Sequence, residues 1–194
     1  TSMDGEFLDN QKEFSTPPWT SLKELEQAAL LIEQGQYITT SQYIKWLAML
    51  VAPGSSLGGA RPKASVIDTA NNLWIAKFPS ANDNYDMGAW EMVLNKLATQ
   101  CGIWMPDAKL TKLSKHHHTY LSKRFDREKK QRIHFASAMT LLGLNDGDNH
   151  ASGTSYLDIA AFIIQHSTDC NTDLEQLWRR ILFNILVSNT DDHL

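Results

Sequence analysis

Four short segments of the chain combine period-two alternation with apolar, β-branched or aromatic residues, which is typical of β-strands. They lie at residues 63–70, 73–78, 108–113 and 119–125. Asn71 and Asn72 separate the first two segments, and because asparagine tolerates a positive φ, this pair predicts a hairpin turn. Residues 114–118 form a second turn between the last two segments. The pattern therefore predicts a small antiparallel sheet.

Other segments repeat their apolar residues at helical spacing. Ser21 and Glu24 fit a capping box at the start of the first of these helices, and Gly35 ends it. The predicted helices contain Leu25, Ala28, Ala29 and Ile32; then Ile44, Leu47, Ala48 and Val51; then residues 87–101, 134–142, 157–167 and 174–187. Every element predicted after residue 125 is a helix.

Because the strands come first and a run of helices follows, the pattern predicts an α+β fold with two lobes. The first lobe is an antiparallel sheet with one helix, and the second is all-helical. The predicted organisation is a lead-in with a vector-derived remnant at 1–18, N-terminal helices at 19–53, the sheet lobe at 54–126 and the start of the helical lobe at 127–194.

The composition is that of an ordinary globular chain, with a formal net charge of −4 and 42% hydrophobic residues. A mildly acidic chain is not expected to bind nucleic acid directly, since that needs clustered Lys and Arg. No apolar run approaches the ~18 residues of a membrane span, so no membrane partner is expected. Cys101 and Cys170 lack a CxxC spacing and lie in apolar helical patterns, which predicts buried free thiols and a cytoplasmic location.

Residues 54–63 form a glycine-containing loop that leads into the first strand. Gly58 and Gly59 would let backbone N–H groups approach phosphate oxygens, because no Cβ blocks the way. The segment is not a Walker sequence, since a strand follows it instead of a helix. A Gly-Gly pair is also common in ordinary turns, and both interpretations stay open at this point.

Lys77 lies in an otherwise apolar strand. Such a lysine commonly faces solvent at a sheet edge. Alternatively it points into a cleft under the loop, where it binds nucleotide phosphates and pairs with a helix carboxylate, as in kinases. Glu91 is the candidate partner, beside the apolar helix face of Trp90, Leu94 and Leu97.

The polar cluster at residues 188–194 follows the last predicted helix. An aspartate there could accept the proton of a substrate hydroxyl. A solvated tail after a helix is the alternative. The loop, the strand lysine and this aspartate nevertheless follow one another in the order that a kinase requires.

Four blocks of the chain resemble the signature motifs of the HipA-like serine/threonine kinases, the toxin components of bacterial toxin–antitoxin pairs and their relatives. The blocks are GGARPK (58–63), WIAKFP (74–79), YLSKRFDR (120–127) and NTDDHL (189–194). The resemblance runs from about residue 52 to residue 194. It implies a two-lobed protein-kinase-like fold, with 54–126 as the N-lobe and 127–194 as the start of an incomplete C-lobe. It also implies an ATP-dependent serine/threonine protein kinase with ATP and Mg²⁺ as cofactors.

The resemblance assigns roles to residues of these blocks. Asp191 is implied as the catalytic base, with His193 beside the phosphates. Ser56 matches a loop serine whose autophosphorylation moves the loop out of the site, and Ser55 is a weaker candidate; a phosphoserine adds about −1.5 to −2 charge, which repels ATP. The implied nucleotide-binding residues are Gly58, Gly59, Ala60, Lys63, Lys77, Glu91 and the hinge backbone of Lys123 and Phe125.

The family implies protein substrates such as aminoacyl-tRNA synthetases or other translation proteins, and a DNA-binding antitoxin as a candidate partner. Its Mg²⁺ ligands follow the Asp-X-His segment, so no metal ligand is expected within this chain. We therefore expect these residues to belong to a kinase about twice as long, and to bind nucleotide weakly without transferring phosphate on their own.

Two other functions compete with the kinase hypothesis. A degenerate kinase scaffold would bind nucleotide or protein without catalysis. A kinase for a small molecule or lipid head group would use the same cleft and place phosphate on a metabolite instead of a protein.

Overall fold

The computed structural model describes residues 18–35, 41, 44, 61–115, 117–128, 131–145, 147, 148 and 150–190. These residues divide into two compact units. The first unit holds the described residues up to Lys96 together with Pro106–Ile133, and the second unit holds Leu97–Met105 and the described residues from His134 onward.

The first unit is built on a four-stranded sheet in the order β1-β2-β4-β3, with every neighbouring pair antiparallel. The predicted Asn71 turn is confirmed, with a φ of 63°. Asp68 stabilises this turn because its side chain accepts hydrogen bonds from the backbone N–H groups of Ala70 and Asn72. Each strand lies within its predicted segment: β1 (Lys63–Ile67), β2 (Leu73–Lys77), β3 (Ala108–Thr111) and β4 (Thr119–Lys123).

The two faces of this sheet differ in character, because successive side chains of a strand point to opposite sides. The strand register determines which residues share a face. The core face carries Ala64, Val66, Trp74, Ala76, Thr119 and Leu121. The other face, here called the lysine face, carries Lys63, Ser65, Ile75, Lys77, Tyr120 and Ser122.

Helix α1 (Leu22–Glu33) contributes Leu22, Leu25 and Ala29 to the buried cluster on the core face. The predicted capping box is wrong, since Ser21 makes no side-chain bond to the helix. A 3₁₀ turn precedes α1, and the Ser21 N–H donates to the carbonyl of Pro18. This gives Ser21 a ψ of 5° in place of the extended conformation that a capping serine normally adopts.

A buried polar contact also joins α1 to β4. Glu26 is 1% exposed, and the Thr119 hydroxyl donates to its Oε2 atom. The Oε1 atom has no hydrogen-bond partner in the described part of the chain. If α1 shifted on the sheet, the second oxygen of this buried carboxylate would also lose its partner, at a further cost in free energy. The Glu26–Thr119 contact therefore helps to fix the position of α1 on the sheet.

Helix α2 (Met87–Gln100) follows β2. The predicted apolar face exists, but Trp90, Leu94 and Leu97 are exposed. In the first unit α2 packs instead through a small residue and polar residues, because the helix approaches the sheet closely at Gly88 and bonds to it through Glu91 and Asn95.

The stretch before the helix predicted at 134–142 contains two short strands that the sequence pattern did not predict. The strands, β5 (Arg127–Glu128) and β6 (Gln131–Arg132), pair as an antiparallel ribbon. The ribbon closes where the N–H of Ile133 donates to the carbonyl of Asp126. Strands this short leave too little alternation to be recognised from sequence.

The second unit contains three predicted helices, confirmed with shifted ends: α3 (Ala138–Leu142), α4 (Tyr156–His166) and α5 (Cys170–Leu186). Helix α3 starts late because Ser137 caps it, accepting a hydrogen bond from the N–H of Thr140. Cys101 and Cys170 are free thiols, but the expected burial is wrong: Cys101 is exposed after the last turn of α2, and Cys170 is partly exposed at the first residue of α5.

The α+β class is confirmed. The two-lobed kinase arrangement and the predicted domain boundaries stay predictions. The helix expected around Ile44 falls mostly outside the described residues, although Ser41 and Ile44 are themselves helical. Within the part of the chain that is described, no helix has both the length and the apolar character needed to cross a bilayer.

Candidate functional site

The lysine face of the sheet brings two positive side chains together. The β1–β2 register puts Lys63 directly opposite Lys77. Like charges in this position repel each other and destabilise a sheet. Burial lowers the pKa of Lys63, the charge of Lys77 lowers it further, and that of Glu91 acts in the opposite direction. Two positive groups therefore lie next to each other on this face, beside Glu91, and an anion bound there would reduce their repulsion.

Lys77 makes the contact with helix α2 that the sequence predicted. Its Nζ atom lies 2.8 Å from Oε2 of Glu91. It also lies 5.7 Å from the ring centre of Tyr120, within range of a cation–π interaction. The two charged side chains are 37% and 29% exposed, so a ligand can reach them. A half-exposed ion pair adds little stability, which makes a purely structural role for this pair a weak explanation.

Tyr120 and Asn95 fix α2 against the same face. Burial raises the pKa of the Tyr120 phenol, the negative charge of Glu91 raises it further, and hydrogen bonds with Asn95 and Ser122 act against both. Tyr120 therefore stays neutral, as a support beneath Lys77. Sequence reasoning missed this role, since Tyr120 reads as an ordinary aromatic strand residue.

Arg61 adds a third positive group at the start of β1. Its guanidinium forms a two-pronged ion pair with the carboxylate of Asp83. Asp83 also accepts a hydrogen bond from the backbone N–H of Ser80, 2.8 Å away. Asp83, in the segment between β2 and α2, thus contacts the end of the glycine-containing loop, of which the structure describes residues 61–63.

The predicted hinge follows β4. The backbone N–H of Lys123 donates to the carbonyl of Asp107, and the N–H of Arg124 donates to that of Leu73. The N–H of Lys123 is thus used within the sheet, so a hinge role for this residue depends on its carbonyl oxygen. Phe125 is exposed just beyond.

A cluster of charged residues holds the chain directly after the hinge. Asp126 accepts hydrogen bonds from the guanidinium groups of both Arg124 and Arg127. The Arg124 bonds hold the pKa of Asp126 below its usual value and raise that of Arg124. The alternating charges of Arg124, Asp126 and Arg127 were the available sequence signal for this cluster, which sequence motifs alone did not reveal.

Several predicted site residues lie outside the described part of the chain. These are the loop residues Ser55, Ser56, Gly58, Gly59 and Ala60, and the catalytic pair Asp191 and His193. The structure brings Lys63, Lys77 and Glu91 together, while the roles of all the predicted residues stay predictions. In the described residues no group of three or more His, Cys, Asp or Glu is arranged to hold a metal ion, so no residue is assigned to Mg²⁺.

Comparison with known proteins adds the family to this geometry. The model of the HipA-like C-terminal domain matches residues 55–194. The chain belongs to the HipA-like family. A Haemophilus influenzae protein named "Putative kinase" is 26% identical to the chain over 159 residues, covering 73% of this chain and 46% of the relative. The HipA-like chain therefore spans about half the length of that curated relative.

Proposed function

We propose that this HipA-like chain is the nucleotide-binding part of an ATP-dependent serine/threonine protein kinase of the toxin type. The observation that carries the proposal is the opposed pair of Lys63 and Lys77 on a ligand-accessible face, with Glu91 bound to Lys77. Two opposed lysines beside Glu91 suit a polyphosphate, because the negative charge of the phosphates relieves the repulsion between the lysines. The family and the kinase-named relative are consistent with this chemistry.

The proposed site has a place for each part of the nucleotide. Lys77 binds the phosphates, Lys63 adds a second cation, and Gly58, Gly59 and Ala60 supply loop backbone. The carbonyl of Lys123 and the backbone of Phe125 meet the adenine edge. Half-buried apolar side chains such as Ile75 on the lysine face offer a surface for the base.

The reaction follows from these roles. Asp191 accepts the proton of a substrate serine or threonine hydroxyl, with His193 beside the phosphates. The hydroxyl oxygen forms a bond to the γ-phosphorus while the bond to the bridging oxygen breaks, and ADP leaves. Mg²⁺, when bound, would neutralise phosphate charge. Autophosphorylation of Ser56, with Ser55 as the weaker candidate, would add negative charge to the loop and weaken ATP binding.

The partners proposed for this activity are those of the family. The substrate would be a protein of the translation machinery, such as an aminoacyl-tRNA synthetase, and a DNA-binding antitoxin would be the regulatory partner. A test of ATP binding at the site requires neither the protein substrate nor the antitoxin.

A nucleotide-binding test addresses the site directly. Replacing Lys77 with Ala should raise the dissociation constant for ATP by about tenfold or more, since a charged contact to phosphate is lost. Lys112→Ala is the matched control, because this exposed lysine beyond β3 is not part of the proposed site. Calorimetry would measure both. Absence of ATP binding by the unaltered chain, or unchanged binding by the Lys77 variant, would contradict the proposal.

A catalytic test uses the natural full-length gene product. Asp191→Asn should abolish phosphate transfer to protein while ATP binding persists, because the substituted base cannot accept the proton. Ser56→Ala should remove radiolabelled phosphate from the protein itself. Unchanged turnover in the Asp191 variant would rule out the proposed base, and label found on a metabolite would favour a small-molecule kinase.

A further inference from the structure

The start of helix α2 is joined to the β3–β4 hairpin through one carboxylate. Oδ1 of Asp86 accepts hydrogen bonds from the backbone N–H groups of Ala89, at 3.0 Å, and His118, at 3.1 Å. Its Oδ2 atom lies 2.5 Å from Nδ1 of His118. Asp86 thus satisfies a donor in the first turn of α2 and holds the hairpin with its other contacts.

The helix and the hairpin also approach each other closely at the next turn. A Cβ atom on Gly88 would lie 2.2 Å from the carbonyl oxygen of His118, closer than any real contact. Glycine is therefore required here by the distance between two backbones, although glycine is unfavourable inside a helix. The Asp86–His118 contact and the Gly88 contact form one continuous junction.

This junction lies one helical turn before the carboxylate of the proposed site. Gly88 and Glu91 are three residues apart, so they share one side of α2. Glu91 in turn contacts Lys77 at 2.8 Å. A shift or tilt of the first turn would move Glu91 away from Lys77, because an α-helix transmits displacement as a rigid element.

We propose that Asp86 and His118 act as positioning residues, forming a latch that holds the start of α2 so that Glu91 stays bound to Lys77. The latch matters for activity only through the proposed function, on which it rests. Its two side chains touch neither Lys77 nor the proposed nucleotide. His118, the last residue of the predicted turn at 114–118, thereby has a specific structural role.

The reactivity of Lys77 tests the latch without any nucleotide. An amine-reactive acetylating reagent is applied to the chain, and mass spectrometry follows the labelling rate of Lys77. Glu91→Gln breaks the ion pair directly and should raise this rate severalfold. The rate in this variant is the reference for complete loss of the contact between Glu91 and Lys77. His118→Ala should raise the rate towards the same value, and the double variant should label no faster than Glu91→Gln alone, because both changes act through one contact.

His117→Ala is the matched control. The ring of His117 hydrogen-bonds with the backbone carbonyl of Asp83 at 3.2 Å and not with Asp86, so its loss should leave Lys77 labelling unchanged. His118→Asn retains a hydrogen-bond donor near the position of Nδ1, so Lys77 should label more slowly in this variant than in His118→Ala. If the His118→Ala chain fails to fold, Asp86→Asn takes its place, since an asparagine still accepts from Ala89 but loses the charge that binds His118.

Labelling of Lys77 at the unaltered rate in folded His118→Ala or Asp86→Asn would overturn the latch. So would effects of His118→Ala and Glu91→Gln that multiply in the double variant, because independent effects mean that His118 does not act through Glu91. ATP affinity is measured on the same proteins. Failure of the unaltered chain to bind ATP would refute the proposed function alone, whereas the labelling result decides the latch.

Discussion

The two units of the chain bury their apolar residues very differently. In the first unit, α1 and the sheet share a closed core in which Leu25, Phe78 and Leu121 are all 0% exposed. In the second unit, no residue of the described helices α3, α4 and α5 is buried. A groove of about 270 Å³ opens between α3 and α4, with Asp173 of α5 also in its lining.

This difference shows that an amphipathic pattern and a buried core are separate properties. Helix α5 has an apolar stripe as clear as that of α1, and such a stripe is sufficient to predict a helix. Burial requires a complementary surface as well. Strand pairing supplies one in the first unit, since it lines up Ala64, Val66 and Leu121 on a single face.

The largest expected difference between the units comes from one substitution made in each. Leu121→Ala removes a fully buried side chain from a central strand and should lower the free energy of unfolding by about 2–5 kcal/mol. Leu186→Ala removes a side chain that is 81% exposed at the end of α5 and should change it by less than about 0.5 kcal/mol. Urea denaturation measures both. Equal effects would mean that the second unit is packed as tightly as the first.

Glycine positions give the next contrast. Gly88→Ala places a Cβ 2.2 Å from a backbone oxygen, and because neither backbone can yield easily, we expect a loss of about 3 kcal/mol. Gly143→Ala meets no atom within 4 Å, and its φ of 68° should cost only about 1 kcal/mol. Thermal melts of the two variants give the comparison, and a milder effect at position 88 would show that α2 can shift.

Ion pairs give a smaller contrast. Asp126→Asn disrupts a carboxylate that binds Arg124 and Arg127 and is 14% exposed, so we expect a loss of about 2 kcal/mol. Glu175→Gln removes the exposed partner of Arg179 on α5 and should cost only about 0.3 kcal/mol. Raising the salt concentration should reduce the second effect more than the first. A larger loss of stability in Glu175→Gln than in Asp126→Asn would contradict this order.

The last contrast depends on pH. Partial burial raises the pKa of Asp68, but hydrogen bonds from Asn72, Trp74 and the backbone of Ala70 outweigh it and hold the pKa at about 2, below its ordinary value of 3.8. A lowered pKa means that the ionised group stabilises the fold above pH 3.8 and that this contribution disappears as the pH falls towards 2.

Asp68→Asn should therefore melt at a lower temperature than the unaltered chain at pH 6, and the two should converge as the pH approaches 2. Asp158→Asn in the capping box of α4 is the control in the second unit. Differential scanning calorimetry across this range measures both. A difference at Asp68 that stays constant with pH would show that the turn, and not the charge, carries the stabilisation.

Much of the candidate site follows from local sequence. The alternation around Lys77 indicates a strand, and the position of Glu91 on the next helix was enough to predict their contact, which the structure contains. The latch was not predictable in the same way. Asp86 and His118 are 32 residues apart, and no local pattern reveals that a hairpin turn returns to the start of α2.

Local errors have a similar origin. Ser21 and Glu24 have the right types and spacing for a capping box, yet the chain enters α1 through a 3₁₀ turn and leaves Ser21 in the wrong conformation. The apolar stripe at Trp90 predicts the packed side of α2 from hydrophobicity, whereas Gly88 determines how closely this helix approaches the sheet. At Ser21 a local 3₁₀ turn overrode the capping preference, whereas at α2 a long-range approach between backbones decided the packing.

The sequence by itself determined the order of strands and helices, the turn at Asn71 and the family-specific residues, because these depend on side-chain periodicity and on local backbone preferences. Tertiary structure alone decided which faces are buried, which lysine stands opposite Lys77, and how Asp86 meets His118. Those features depend on strand register and on the approach of distant segments, where burial and close contact between backbones outweigh what any single segment favours.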